Sequence, residues 1–371
     1  MSGLYLGLMS GTSIDGIDAV IAEFEAGRLA KLHAAHHHDY PPPLRARLIE
    51  LSLDQPGISM REFCTLDVDI GLSFAAAARE VISRSGIPVG AITAIGSHGQ
   101  TLFHDGPRGL TLQLGDHNRI AAATGITTVA DFRRIDLALG GQGAPLVPAF
   151  HHAMFADFRE PRCVLNLGGI ANITVLPGAG IDGVIGFDTG PANGLMDEWM
   201  RVCSGLAFDA EGAFAARGSA DEELIAALLS DPYFARPAPK STGRDYFRLD
   251  WVRSRYPRID ALRTEDVQAS LAAVTARSVA SAIKEAAPAV ARLIVCGGGV
   301  ANTLLLRLIG EALPGVVIES SSQHGLAPEW IEATAFAWLA MRRIEGKSGN
   351  LPAVTGASHL SPLGCVVLPP G

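Results

Sequence analysis

The chain has no Cys-x-x-Cys pair. Its five cysteines, Cys64, Cys163, Cys203, Cys296 and Cys365, are odd in number and far apart, which argues against both a zinc cluster and a disulfide framework. Unpaired, buried thiols in a cytoplasmic protein are expected instead. There is no apolar run of the about 18 residues that a membrane-spanning helix needs. No basic residue precedes the first apolar stretch, and Gly11, Asp15 and Gly16 break that stretch early, so it does not read as a secretory signal. Positive charge is also short, with a net charge of −8 and a pI near 5.8. That excludes nucleic acid as an expected partner, because a phosphate backbone is bound by a basic surface.

Several catalytic signatures are missing too. Gly346-Lys-Ser348 has Met341 where a phosphate-binding loop needs its first glycine. No His-Glu-x-x-His or Gly-x-Ser-x-Gly occurs, and no Gly-x-Gly-x-x-Gly lies between a strand and a helix, which removes the common mononucleotide, zinc-protease, serine-hydrolase and dinucleotide readings. What is present is ample apolar material: 371 residues, 48% hydrophobic and 18% charged, enough for two cored domains.

Two stretches share one pattern. Leu4-Tyr-Leu-Gly-Leu-Met9 and Ile17-Asp-Ala-Val-Ile-Ala-Glu-Phe24 flank the turn Ser10-Gly-Thr-Ser-Ile-Asp15-Gly16. Cys163-Val-Leu-Asn-Leu167 and Ile170-Ala-Asn-Ile-Thr-Val-Leu176 flank Gly168-Gly169. Apolar runs joined by a glycine turn predict hairpins, and two of them predict two related halves. Helices are expected over 42–53, 65–85, 193–203, 265–286, 301–313 and 329–344. Gly86 and Pro88 stop the second of these, Thr264 caps the fourth, and Pro328 opens the last. Strands are expected over 91–95, 183–187 and 292–296. The passage between halves is expected near 131–143. Alternating helices and strands indicate an α/β fold with a partly parallel sheet.

Three glycine turns, at 10–16, 168–172 and 297–299, each adjoin a strand. Glycine lets the backbone approach a phosphate and aim amides at it. Thr12 and Ser13 add hydroxyl donors, and Asp15 could hold a hydrated Mg²⁺. The third turn is expected to lead into a helix whose N-terminus favours anions. Taken singly, each turn reads first as an ordinary tight turn. Together, and in order on paired hairpins, they point to a nucleotide gripped by two lobes. Asp188, in Gly186-Phe-Asp-Thr-Gly-Pro-Ala-Asn193, is expected just past a strand, either as a general base facing a cleft or as a cap of the following helix. His98 and Gln100, in Gly96-Ser-His-Gly-Gln-Thr101, suit a sugar hydroxyl or phosphate, with a structural role as the alternative. The polar stretch from Lys240 to Tyr246 is either a cleft-edge loop or a solvated connection. Glu329 and Glu332 share a helix face, so one carboxylate either points at substrate or simply complements the helix dipole.

The run Gly7-Leu-Met-Ser-Gly-Thr-Ser-Ile-Asp-Gly-Ile-Asp18 resembles the ATP-binding signature of the anhydro-N-acetylmuramic acid kinase family. The resemblance extends in order through Gly96–Thr101, Leu112-Gln-Leu-Gly-Asp116, Val129-Ala-Asp-Phe-Arg133, Asn166-Leu-Gly-Gly-Ile-Ala-Asn172, Phe187–Asn193, Cys296-Gly-Gly-Gly-Val-Ala-Asn302 and Glu332-Ala-Thr-Ala-Phe-Ala337. Thr334 stands where a more apolar residue is expected. The resemblance implies two RNase H-like lobes of the actin, hexokinase and Hsp70 type with a cleft between them. These are expected at 1–135 and 136–351, with 352–371 able to return to the first. It also implies ATP and Mg²⁺, a homodimer, a cytoplasmic place in murein recycling, and phosphorylation of an anhydro amino sugar. ATP contacts fall on Gly11, Thr12, Ser13, Ile14, Asp15, Gly16, Ile17, Asp18, Gly168, Gly169, Asn172, Gly297, Gly298 and Gly299. The catalytic base falls on Asp188, substrate contacts on His98, Gln100, Asn193 and Glu332, and the water-mediated metal contact on Asp15. A kinase for a free-hydroxyl sugar and an actin-like ATPase are the alternatives.

Overall fold

The structure, a computed structural model, describes every residue except Met1, Gln55, Pro239, Arg244, Asp245 and the side chains of Leu53 and Asp54. Along the chain come β1 (Gly3–Ser10), β2 (Ile17–Glu25), β3 (Arg28–His38), α1 (Pro42–Asp54), α2 (Met60–Ser85), β4 (Ile92–Asp105), β5 (Leu110–Leu114), α3 (His117–Thr124), β6 (Thr128–Ala130), α4 (Arg134–Ala138) and α5 (Val147–Phe155). Then follow β7 (Arg162–Leu167), β8 (Ile170–Leu176), β9 (Ile185–Pro191), α6 (Asn193–Ser204), α7 (Glu222–Leu229), α8 (Leu249–Arg255), α9 (Thr264–Ala286), β10 (Arg292–Cys296), α10 (Thr303–Ala312) and β11 (Val317–Ser320). The chain closes with α11 (Ile331–Ile344), α12 (Pro352–Thr355) and β12 (Cys365–Val367).

The chain forms two units, one of Met1–Met154 with Trp330–Gly371 and one of Phe155–Glu329. In the first, the sheet order is β12-β6-β4-β1-β2-β3, with β5 paired to β4. β1, β2 and β3 form an antiparallel meander, and β4 runs parallel to β1. In the second, the order is β11-β10-β7-β8-β9. Here β7, β8 and β9 are the meander, while β10 and β11 add on in parallel. A glycine turn closes each first hairpin, and helices make the crossovers that parallel strands require. The same RNase H-like order thus occurs twice, as the paired hairpins suggest.

Each unit has its own core. In the first, Leu6, Leu8, Ile17 and Ile95 pack with Phe74, Ala78 and Val81 of α2. In the second, Leu165, Ile173, Val295 and Leu293 pack with Leu271, Val274 and Ile283 of α9. Helix α11 lies against β1 and β4 at very short range, because both strands offer glycine there. A Cβ on Gly7 would sit 1.8 Å from the Ala333 carbonyl oxygen, and one on Gly96 would sit 2.0 Å from that of Phe336. This packing makes α11 part of the first unit, whereas the sequence-based division gave residues up to 351 to the second. The segment 131–143, expected as the passage, also lies within the first unit. Asp136, fully buried, anchors it by accepting from Asn350 Nδ2 at 3.0 Å, Thr355 Oγ1 at 2.8 Å and Gly143 N at 2.8 Å.

Several expected boundaries move. β3 was not anticipated, since its alternating histidines and charges mask an edge strand. α2 starts earlier than expected, at a cap formed by Ser59, which accepts from Glu62 N at 3.1 Å. Arg263, not Thr264, is the N-cap of α9, without a side-chain bond. A 3₁₀ turn, Gly298–Ala301, separates the third glycine turn from α10, whose cap is Asn302. Pro328–Trp330 is likewise 3₁₀ and leaves Glu329 exposed outside α11. Cys64 and Cys365 are exposed, against the expectation of buried thiols, while all five cysteines are free. Among the described residues, no helix is long and apolar enough to cross a membrane.

Candidate functional site

In the first unit, the turn after β1 is held from below by β4. That strand runs on to Asp105, so His98 and Gln100 lie inside it and not at its end. Ser10 Oγ donates to Gln100 Oε1 at 2.7 Å, and Gln100 Nε2 donates to the Gly11 carbonyl at 3.2 Å. Tyr40 adds a second donor to Oε1 at 3.2 Å. Gln100 is therefore buried, and it braces the turn with both ends of its amide. The turn carries a strained residue: Ile14, buried and β-branched, sits at φ 53°, a region such side chains avoid. An Arg45 hydrogen bond to the Ile14 carbonyl at 2.8 Å helps hold it there. Strain of this kind concentrates where a loop must present its backbone. Thr12, Ser13 and Asp15 are exposed on the turn, with Ser13 Oγ donating to Asp15 Oδ1 at 2.9 Å.

Beside the turn lies a charged group of residues. Arg133 brings Nη2 to 2.8 Å from His98 Nε2 and donates through Nη1 to the Gly143 carbonyl at 2.8 Å. Burial, with Arg133 adding to it, holds His98 well below the ordinary histidine range, so it is a neutral acceptor at Nε2. Burial also pulls Arg133 down to about 10, while Glu332 and Asp136 work the other way. Glu332, in the first turn of α11, is raised mainly by burial, then by Asp18; Arg133 lowers it and Asp15 raises it again. Four carboxylates, Asp15, Asp18, Asp136 and Glu332, and one guanidinium therefore act on one another in this corner. Thr334, the unexpected polar residue, satisfies its hydroxyl on the Trp330 carbonyl at 2.7 Å.

The second unit brings its glycine turns together around the start of α6. Asn193 N donates to the Gly168 carbonyl at 3.0 Å, and Asn193 Nδ2 donates to the Leu167 carbonyl at 2.9 Å. Gly194 N donates to the Gly169 carbonyl at 3.1 Å. Gly297 has φ 79°, and a Cβ there would lie 2.3 Å from Asn166 Oδ1; a Cβ on Gly299 would lie 2.5 Å from Leu167 Cβ. Gly168, Gly169, Asn193, Gly297 and Gly299 thus form one tight assembly, in which only glycine fits at 297 and 299.

Asp188 lies within β9, directly across from Asn172 of β8, and not past the strand as expected. It does not cap α6, whose N-cap is Ala192. Its Oδ2 accepts from Thr242 N at 2.9 Å, its amide donates to the Lys240 carbonyl at 3.0 Å, and its carbonyl accepts from Tyr233 Oη at 2.8 Å. Burial raises its pKa to about 6, partly offset by the Thr242 amide. The stretch from Lys240 to Gly243 is therefore a clamp on Asp188, while Arg244 and Asp245 lie outside the described residues. Lys240 itself turns back, donating to the Phe234 carbonyl at 3.0 Å. Thr242 fell in the Lys240–Tyr246 stretch and Arg133 in the Val129–Arg133 motif, but neither was given an individual role, and Tyr233 was passed over. A backbone donor leaves no residue-type signal, and a lone tyrosine or arginine carries none until a partner is known.

Residues 3–369 match the anhydro-N-acetylmuramic acid kinase family. A protein of that name from Xanthomonas oryzae pv. oryzae (strain MAFF 311018) is 51% identical over 369 residues, covering 98% of this chain and 97% of its own. Proteins of the same name from Shewanella sediminis and Saccharophagus degradans are 49% and 46% identical, covering 97% and 99% of this chain and equal shares of their own. On residues, order of motifs and full-length similarity alike, the chain belongs to the anhydro-N-acetylmuramic acid kinase family.

Proposed function

We propose that the chain opens 1,6-anhydro-N-acetylmuramic acid with water and transfers the γ-phosphoryl group of ATP to O6, giving N-acetylmuramic acid 6-phosphate and ADP in murein recycling. In the anhydro sugar, O6 is tied into an internal acetal and carries no proton to remove. Asp188 takes a proton from water as the water oxygen bonds to C1. The C1–O6 bond breaks, and its electron pair stays on O6, which attacks phosphorus and displaces ADP. A carboxylate with a pKa near 6 is basic enough to accept that proton and still ionised at neutral pH. This is the observation on which the reading rests.

Amides of Gly11, Thr12 and Ser13 stabilise charge on the transferred group, with Ile14, Gly16, Ile17 and Asp18 completing that turn. Gly168, Gly169, Asn172 and Gly297–Gly299 line the remaining nucleotide contacts. Glu332 and Asn193 orient the sugar, and His98 and Gln100 support those contacts from within β4. An exposed carboxylate beside two further acids fits a hard cation through water, so Asp15 would hold Mg²⁺, which neutralises phosphate charge. The enzyme acts as a cytoplasmic homodimer.

Phosphorylation in ¹⁸O-labelled water tests the reading. One label at C1 together with phosphate at O6 is expected. Turnover of a free-hydroxyl sugar without label, or ATP hydrolysis indifferent to the anhydro sugar, would point to a simple sugar kinase or an ATPase.

A further inference from the structure

Away from these residues, β3 and α2 bring together a different chemistry. β3 is the terminal strand of its sheet, and its sequence His33-Ala-Ala-His36-His37-His38 is rich in imidazole. Side chains two apart on a strand share a face, so His36 and His38 face the same way, and His37 points to the other side, where it meets Asp18 at 2.7 Å. Glu80 comes from α2. Its Oε2 lies 3.0 Å from His36 Nε2 and 3.2 Å from His38 Nδ1. Its other oxygen, Oε1, is engaged by Arg84 at 2.5 Å, which orients the carboxylate with Oε2 toward the histidines.

The three ligand atoms all lie within 4.8 Å of one another. A tetrahedral zinc-type ion with bonds of about 2.0–2.2 Å places its ligand atoms roughly 3.3 Å apart. The two histidine-to-carboxylate separations are already close to that. The His36 contact is short, yet His36 Nε2 makes no hydrogen bond and is buried. A buried imidazole nitrogen left without a hydrogen bond beside a carboxylate oxygen is the kind of unmet polar atom that a cation would satisfy. The side chains of His36, His38 and Glu80 are 13%, 24% and 36% exposed, so an ion could enter from solvent and keep a water.

We propose that His36, His38 and Glu80 form a three-ligand site for a divalent transition cation of the zinc class, clipping the edge strand β3 to α2 with a further position open to water. Two imidazoles disfavour Mg²⁺, which takes oxygen ligands, and suit Zn²⁺, Co²⁺ or Ni²⁺. The site is separate from the Mg²⁺ that accompanies ATP.

The test uses the full chain stripped with a chelator and titrated with Zn²⁺ by calorimetry near neutral pH, with metal content measured after dialysis. Uptake of one equivalent is expected, together with a rise in thermal midpoint on adding Zn²⁺. His36→Gln and His38→Gln should each weaken binding by more than about tenfold, since even outer partners of a metal ligand are worth that much. His33→Gln, which removes a histidine paired to Glu23 instead, should bind as the parent does. If one histidine variant does not fold, the other and Glu80→Gln carry the comparison. No uptake by the parent chain, or undiminished affinity in a folded His36, His38 or Glu80 variant, overturns the site.

Discussion

The Thr242 amide donates to Asp188 Oδ2 at 2.9 Å while the Asp188 amide donates to the Lys240 carbonyl at 3.0 Å. One loop thus fixes both the backbone and the carboxylate of a single residue. The bond to Oδ2 holds one oxygen and leaves Oδ1 as the one that can reach water. Replacing Asp188 by Asn keeps the shape and the Thr242 bond but removes the base. Turnover should fall by about 10²–10⁴, with ATP affinity little changed. Equilibrium binding of ATP alongside steady-state rates checks this, and near-normal turnover would remove Asp188 from the reaction.

The same carboxylate should set the acid limb of the pH profile. Its pKa is raised to about 6 by burial, and only the ionised form accepts a proton. kcat/KM should therefore fall tenfold per pH unit below about 6 and level off above. A limb centred near 4 instead would mean the base titrates as an exposed carboxyl does.

A raised carboxyl pKa also carries a stability cost, with a definite sign. The folded chain holds this proton more tightly than the unfolded chain, so ionised Asp188 destabilises the fold. The penalty is absent below the unfolded value near 3.8, grows as pH rises, and is complete above about 6. Asp188→Asn should be more stable than the parent at pH 7 by about 1–3 kcal/mol, a gain that vanishes near pH 4. Urea midpoints at the two pH values measure it. Equal midpoints at pH 7 would show that burial imposes no such cost.

Much of this architecture can be read before any coordinates. The hairpins at β1–β2 and β7–β8 announce themselves because apolar runs flank glycine turns, and β10 was located residue for residue by its apolar run between Arg292 and Gly297. β3 escaped because an edge strand needs no continuous apolar face. Asp188 was marked by its glycine- and proline-rich surroundings, but its place inside β9 depends on pairing with Asn172, a long-range contact that no local pattern encodes. The burial of Gln100 and the clamp from Thr242 are tertiary facts of the same kind.

Gly7 and Gly96 offer a test of the packing itself. With added Cβ atoms 1.8 and 2.0 Å from helix carbonyl oxygens, α11 would have to lift off β1 and β4. Either Gly7→Ala or Gly96→Ala should cost about 1–3 kcal/mol or more, and both should disturb Glu332, which α11 carries. Gly90→Ala, with nothing within 4 Å of its added Cβ, should be close to neutral. Thermal midpoints compare the three, and a mild effect at Gly7 would mean that the helix yields easily.

Behind Asp188 stands a second buried carboxylate that the reaction does not use. Asp231 accepts from Tyr233 N at 2.7 Å, Trp251 Nε1 at 2.8 Å and Tyr246 Oη at 3.0 Å, and pairs with Arg255 at 2.5 Å. Tyr233, placed by that bond, reaches the Asp188 carbonyl with its hydroxyl at 2.8 Å. Removing only the hydroxyl, in Tyr233→Phe, should cost about 0.5–1.5 kcal/mol of stability and lower kcat severalfold without moving the acid limb, because the base keeps its burial and its Thr242 bond. Asp231→Ala withdraws the shared acceptor from three donors and leaves Arg255 without its partner, so about 2–4 kcal/mol should be lost. A purely structural role predicts that both variants, once folded, turn over at the parental rate. A lowered kcat at unchanged KM in Tyr233→Phe separates the two accounts, since its ring still fills the same space and only the tether to Asp188 is gone.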